Sequence, residues 1–345
     1  TQKKELTMNK LTKIGVSALC GSLATVSAAN AGDLTVTGGV DMSWISLDDD
    51  NVGNPLGIGS NMSFSGSGEL DNGWSVKLGI DHKNANAYSN TNVTVGVPGL
   101  GDFRISQGVS GSGIDRMDDK TPNVWEEAYG TGLGTGIDTV AGVSGGAGIE
   151  FTPSATPDGI TARISWTPNA GGSGSSDKGS SGVQSSVASS GYDITVSASS
   201  DAIGVDGLTL YGGISSTEQD STNSAISGDK DERTVGVIYS VGGFTLGYQW
   251  SEEDLGRSSG ATQYDNDAYG ITFNVNDDLS IGYNNYESEQ SNSTNVTAEA
   301  ESVQIAYTMG GASIRLAEAS VDNAKYTTGA ANSRDATTLS VSLAF

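Results

Sequence analysis

The sequence predicts an all-β fold, a transmembrane antiparallel up-and-down barrel of about sixteen strands with one rim of short turns and one of long loops. Three observations point there. Apolar and polar residues alternate along most of the chain, and connectors alternate between tight and long. In addition, 49 of the 345 residues are glycine, about twice the usual share of roughly 7%. Only 35% of residues are hydrophobic and 17% charged, so Gly, Ser, Thr, Asn and Asp dominate, which suits turns and half-wet strands better than helix interiors.

The chain opens with an address. Met8-Asn9-Lys10-Leu11-Thr12-Lys13 is basic, Ile14 to Val26 is mildly apolar, and Ala29-Asn30-Ala31 is a small-x-small site. Those three parts in that order read as a secretory signal peptide over residues 1–31, with Met8 the expected start and Thr1 to Thr7 an upstream extension. The only cysteine, Cys20, falls in the apolar stretch, and Ser17-Ala18-Leu19 before it lacks the small residue that precedes a lipidated cysteine. Removing these 31 residues leaves 314, with no cysteine and a formal charge of -27 instead of -24. Beyond Ala31 no run of about 18 apolar residues occurs, so the exported part crosses a membrane with strands or not at all.

The expected barrel covers 32–345. Its clearest segments are Leu34 to Trp44, Trp74 to Asp81, Phe103 to Gln107, Ile160 to Trp166, Leu208 to Ile214, Phe244 to Trp250, Tyr269 to Val275, Leu279 to Tyr286 and Leu339 to Phe345. Asn61 to Leu70, Thr91 to Val97, Gly145 to Phe151, Tyr192 to Ser199, Thr234 to Val241, Val303 to Met309 and Ala312 to Val321 are less regular. Tight-turn chemistry fills Asp71-Asn72-Gly73, Pro98 to Gly101, Gly242-Gly243, Asn276 to Asp278 and Gly310-Gly311. The long connectors are Asp48 to Ile58, Asn84 to Asn90, Gly108 to about Ser144, Pro168 to Gly191, Thr217 to Arg233, Glu253 to Asp265, Ser288 to Glu299 and Asp322 to Ala336, and the acids are expected to concentrate there. A secreted β-sandwich would have fewer strands per domain and Greek-key connectors that do not alternate.

With these residues in view, the chain resembles the general porins of the Gram-negative outer membrane, which are sixteen-stranded. The resemblance rests on Met8 to Ala31, on the opening Asp33-Leu34-Thr35-Val36-Thr37-Gly38-Gly39-Val40, on the strand pair Val95 to Ile105, and on the ending Leu339 to Phe345. It implies a homotrimer of water-filled barrels in outer-membrane lipid that passes small polar solutes. It also implies that the terminal Phe345 is the signal read by the outer-membrane assembly machinery. The third long connector, 108–144, is implied to fold inward and narrow the pore, carrying Asp115, Asp118, Asp119, Glu126 and Glu127. It lacks the Pro-Glu-Phe-Gly element that some members carry at its tip.

Strand parity adds the wall. If the apolar partners face lipid, then Lys77, Arg104, Arg163 and Arg315 face the lumen, together with Asp41 and Asp81. Trp44, Trp74, Trp166, Trp250, Tyr239, Tyr248, Tyr283 and Phe345 fall on the apolar parity near strand ends, where rings seat at headgroup level. The acidic balance leads to an expectation of weak cation preference and excludes a nucleic-acid partner, which needs a basic surface. Enzyme chemistry is not expected. His82 is the only histidine and sits on the outward parity, no zinc ligand set or phosphate-binding glycine loop is present, and no cofactor is implied. Asp48-Asp49-Asp50-Asn51 reads as a solvated acidic loop rather than a cation site. The competing function is a non-conducting structural or adhesive outer-membrane β-protein.

Overall fold

The computed structural model describes residues 34–48, 53–83, 90–107, 111–143, 147–170, 188–220 and 223–344. The expected signal segment and Phe345 lie outside them. The strands are β1 (Thr35–Leu47), β2 (Leu56–Glu69), β3 (Ser75–Lys83), β4 (Asn90–Val97), β5 (Gly101–Gln107), β6 (Gly148–Pro153), β7 (Ile160–Thr167) and β8 (Ala188–Ala198). They continue as β9 (Leu208–Gln219), β10 (Lys230–Val241), β11 (Phe244–Asp254), β12 (Gln263–Asn274), β13 (Leu279–Ser291), β14 (Val296–Met309), β15 (Ala312–Asp322) and β16 (Arg334–Ala344). Each pairs antiparallel with its neighbours in sequence, and β1 pairs with β16, so the sixteen strands close into a barrel with no free edge. Among the described residues no helix is long and apolar enough to cross a membrane.

Which face is which follows from the pattern of exposure. Leu78 on β3 and Trp74 just before it, Ile164 and Trp166 on β7, Val235 and Tyr239 on β10, Ile305 and Tyr307 on β14, and Leu339 and Leu343 on β16 are all exposed on the outer face. Their alternate neighbours, pointing inward, are mostly Ser, Thr, Gly, Gln and charged residues, with Ile238, Ala306 and Ala344 the apolar ones. The interior therefore has no continuous apolar core. The buried apolar residues form small clusters, such as Leu133 with Ala319, Val321 and Ala336, and these seat an inserted loop rather than two stacked sheets.

The wall is uneven in height. Strands β3 to β7 have six to nine residues, whereas β10 to β15 have eleven to fourteen. The extra length corrects two expectations. The connector expected at Ser288 to Glu299 shrinks to residues 292–295, and acids of the expected connectors, Asp231, Glu232, Glu253, Asp254, Asp265, Glu289 and Glu299, stand on strand tops instead, beside others higher on the same strands. Glu252, Asp267, Glu301 and Glu318 point outward above the apolar belt, held by Arg233 Nε (2.9 Å to Glu252), Tyr248, Tyr283 (2.8 Å to Glu301) and Thr337 (2.8 Å to Glu318). Polar residues on both faces erase the hydrophobic period there while the ladder of backbone hydrogen bonds continues. On the short rim, the β8–β9 connector is likewise longer than a tight turn and contains a helical turn at Ser200–Ile203 ending on Gly204 in the left-handed region.

Candidate functional site

The third loop, 111–143 among the described residues, lies inside the barrel against the inner wall. A 3-10 turn, Gly113–Met117, starts it and packs on β7 to β10. The chain then passes over glycines that leave the wall flat. A Cβ on Gly247 or Gly270 would overlap Pro122, one on Gly282 would press on Val124, and one on Gly213 would press on Ile114. All four glycines are on the inward parity of β9, β11, β12 and β13. This track was not recognised in sequence, although the glycine excess was its trace.

Polar wall side chains satisfy the loop's backbone, which would otherwise be buried without partners. Glu150 on β6 accepts the N–H of Gly113 at 2.8 Å, and Asp193 on β8 accepts Ile114 at 3.1 Å and Val143 at 3.3 Å. Glu232 on β10 accepts Ala141 at 3.2 Å and also Gly142. These three carboxylates are 6%, 0% and 3% exposed. Uncharged groups hold the middle. Asn284 Oδ1 accepts Ala128 N–H at 2.7 Å, Gln304 Oε1 accepts Trp125 N–H at 3.1 Å, and Thr338 Oγ1 donates to the carbonyl of Thr131 at 2.9 Å. Tyr326 Oη accepts Asp138 N–H at 2.9 Å. Leu133 packs on Ala319, Val321 and Ala336 with Ile45 of β1 beside them. The loop thus runs from β6 around to β16, touches β1 at Ile45, and returns to β8, leaving β2 to β4 as open inner wall.

The wall residues named from parity all fall on the inward face. Asp41 accepts Ser340 Oγ at 2.6 Å and Arg315 at 3.2 Å, joining β1, β15 and β16. Asp81 accepts Ser63 Oγ at 2.6 Å. Lys77 stands between Ser67 and Thr94 in the ladder with no hydrogen-bond or ion-pair partner among the described residues, and Arg104 donates to the carbonyl of Gly111 at 3.2 Å. Arg163 lies opposite Thr195.

The loop acids separate into two groups. Asp115 takes the N–H of Gly111. Asp118 follows it, and burial together with Asp119 and Asp115 pushes its carboxyl up to about 7. Burial raises the Glu126 carboxyl, a hydrogen bond with Glu127 opposes the rise, and the charge of Asp41 adds to it while Lys83 and Arg315 offset it. Glu127 is buried, accepts Asn123 Nδ2 at 2.8 Å, and is pushed up to about 8 by burial and by the charge of Glu126 beside it. Lys83 and Arg116 are charged participants that sequence reasoning passed over. Lys83 shares the inward parity of Lys77 and Asp81, so its period was readable; Arg116 sits in a loop, where no period exists. Arg116 pairs with Glu150 beneath the loop.

Among the described residues no cluster of His, Cys, Asp and Glu is arranged to hold a metal ion. The described aromatic residues on the outward parity, with Trp44, Trp74, Trp166, Tyr239 and Tyr248 exposed, border the apolar belt.

A closed sixteen-stranded cylinder, greasy outside and polar inside, with one long loop laid into its lumen, defines a transmembrane barrel of the porin class. A family model for Gram-negative porins matches residues 15–345, so the chain belongs to that family, and its place is the bacterial outer membrane. The fold is similar to that of the anion-selective porin from Comamonas acidovorans (15% identity, 91% of this chain and 100% of that one, TM-score 0.66). It is also similar to OmpF of Salmonella typhi in complex with daunomycin (11% identity, 91% and 98% covered, TM-score 0.67) and to OmpT of Vibrio cholerae (12%, 90% and 97%, TM-score 0.65). No curated protein matches the chain.

Proposed function

We propose that the protein is a passive diffusion channel for small hydrophilic solutes and ions, narrowed by its third loop and weakly cation-selective. The observation that carries this reading is the third loop laid into the lumen and tied to the inner wall by Asp193, Glu232, Asn284 and Gln304, with the acid Glu126 on it. Charged groups of both signs across a wet constriction keep water ordered and favour polar solutes over apolar ones. The loop acids outnumber the loop's own basic residues, Arg116 and Lys120, which supports the cation preference.

The channel is proposed to assemble as a homotrimer through the low wall. The outward parity of β3 to β7 carries no Asp, Glu, Lys or Arg, whereas the tall wall opposite bears outward acids unsuited to a dry contact. Single-channel recording of the purified protein in a planar bilayer tests the function. Stepwise ohmic conductance is the expected result. Insertion without current steps would replace the channel with a non-conducting structural or adhesive barrel.

A further inference from the structure

The connector from β15 to β16, residues 323–333, folds back over the third loop. Lys325 donates its backbone N–H to the carbonyl of Thr135 at 2.6 Å, and Tyr326 Oη accepts the N–H of Asp138 at 2.9 Å. A Cβ on Gly136, between those two points, would come within 2.8 Å of Lys325 Cγ. Ala324 is buried in the same cluster as Leu133 of the loop. Tyr326 is buried against Leu255, Tyr264 and Ala298 with Ile137 of the loop beside it, and its hydroxyl also bonds Ser288 Oγ at 2.8 Å.

The stretch of loop under this connector has a soft backbone. Glycine stands at every second position from Gly130 to Gly136, and Gly132, Gly134 and Gly136 have φ of 105°, 60° and 69°. Glycine passes between left- and right-handed conformations at little cost, so such a chain is compliant. The wall gives it apolar contacts at Leu133 and Ile137. Among the described residues, however, hydrogen bonds from outside the loop to its backbone between Gly132 and Val140 come only from Lys325 and Tyr326. The flanking points, Thr131 on Thr338 and Ala141 on Glu232, are tied to the wall itself.

The connector is bent against preference. Asn323, Lys325 and Tyr326 have φ of 52°, 57° and 54°, and among the described residues they are the only non-glycine positions with positive φ. A side chain in that region costs energy, more for a tyrosine than for an asparagine. Such strain persists where surrounding contacts over-determine the conformation. Here those contacts are made by the ring and hydroxyl of Tyr326, so losing them frees both the connector and the stretch of loop it covers. With the wall behind that stretch, the space left to it is the lumen.

We propose that Tyr326 is a positioning residue of the channel: the β15–β16 connector is a clasp that holds residues 130–138 of the third loop against the wall, and its release lets them swing into the lumen and lower the current. The clasp rests on the channel reading above and deepens it, adding a two-state element at the constriction.

Single-channel recording of Tyr326→Phe tests the clasp. The ring and its packing stay, while the acceptor for Asp138 N–H is lost. The share of time spent in partly closed levels is expected to rise about fivefold, the equivalent of one net hydrogen bond, with the fully open level as in the wild type. Tyr264→Phe is the control. Its ring centroid lies 5.1 Å from that of Tyr326, and its hydroxyl accepts Gln290 Nε2 of the wall at 3.1 Å instead of the loop. It loses a comparable hydrogen bond in the same cluster and should close as seldom as the wild type. Wild-type behaviour in Tyr326→Phe, or an equal rise in both variants, would overturn the clasp and leave the channel intact. No current steps in the wild type would overturn the channel itself, and the clasp with it.

Discussion

Gly270 on β12 faces the carbonyl of Pro122 so closely that a Cβ on the glycine would overlap it. The wall is bare at that point because the third loop occupies the space a side chain would take. Gly270→Ala is expected to lift the loop off the wall and to cost about 1–3 kcal/mol, as overpacking of a well-filled contact does. Gly66→Ala, on the outward face of β2 with open space around it, should be neutral. Heat or urea unfolding of the folded barrel compares the two; equal stability would mean that the loop does not rest on this track.

Asp193 accepts backbone N–H groups from both limbs of the loop, Ile114 on one and Val143 on the other. Truncation to alanine strands two buried donors, at a cost of about 3 kcal/mol. The loss should be local. Amide hydrogen exchange at Ile114 and Val143 is expected to accelerate in Asp193→Ala while strand amides remain protected. Asn at this position keeps an acceptor and should preserve most of the protection.

Loop charge depends on pH near neutrality. Asp118 at about 7 and Glu127 at about 8 hold protons that an unfolded chain would have released near pH 4–4.5. The folded state therefore binds more protons over that window, so these two groups lower stability as pH rises from about 4 through 8, and they add no penalty below it. The same titration makes the loop more negative. Reversal potentials under a salt gradient should move toward stronger cation preference between pH 6 and 9, and Glu127→Gln should remove the upper part of the change. A flat profile in the wild type would refute it.

Lipid contact on the outer face has its own test. Ile271 is exposed outward within the apolar belt of β12, whereas Ser65 on β2 is exposed inward. Ile271→Arg should cost about 2–4 kcal/mol of barrel stability if it lies near the bilayer midplane. Ser65→Arg, entering water, should change stability by no more than about 0.5 kcal/mol. Folding measurements in lipid vesicles report both values.

How far the sequence was legible follows from the same physics. All sixteen strands were readable wherever lipid imposes an apolar side on every second residue, as at Leu339, Val341 and Leu343 on β16. Above the belt the solvent is water on both faces, so the tops of β12 to β14 carried no period and their ends were placed short. Parity located Asp41 and Arg315 on the inner wall, but only three dimensions bring them to 3.2 Å of each other. The seat of the third loop was the least legible part. Gly213, Gly247, Gly270 and Gly282 lie on four strands, and Glu150, Asp193 and Glu232 on three, so no spacing in sequence connects them. The loop's longest-connector status marked its presence, and the wall's amides and carboxylates decide its path.

The most direct measurement introduces a cysteine at Glu126, in a barrel whose one other cysteine, Cys20, belongs to the expected signal segment. Single-channel current is recorded before and after a bulky hydrophilic thiol reagent is attached. Attachment at Glu126→Cys should cut the current to a small fraction, while the same reagent on the outward-facing Glu318→Cys should leave it unchanged. Undiminished current through a fully labelled Glu126→Cys barrel would mean that ions do not pass between the third loop and the open wall.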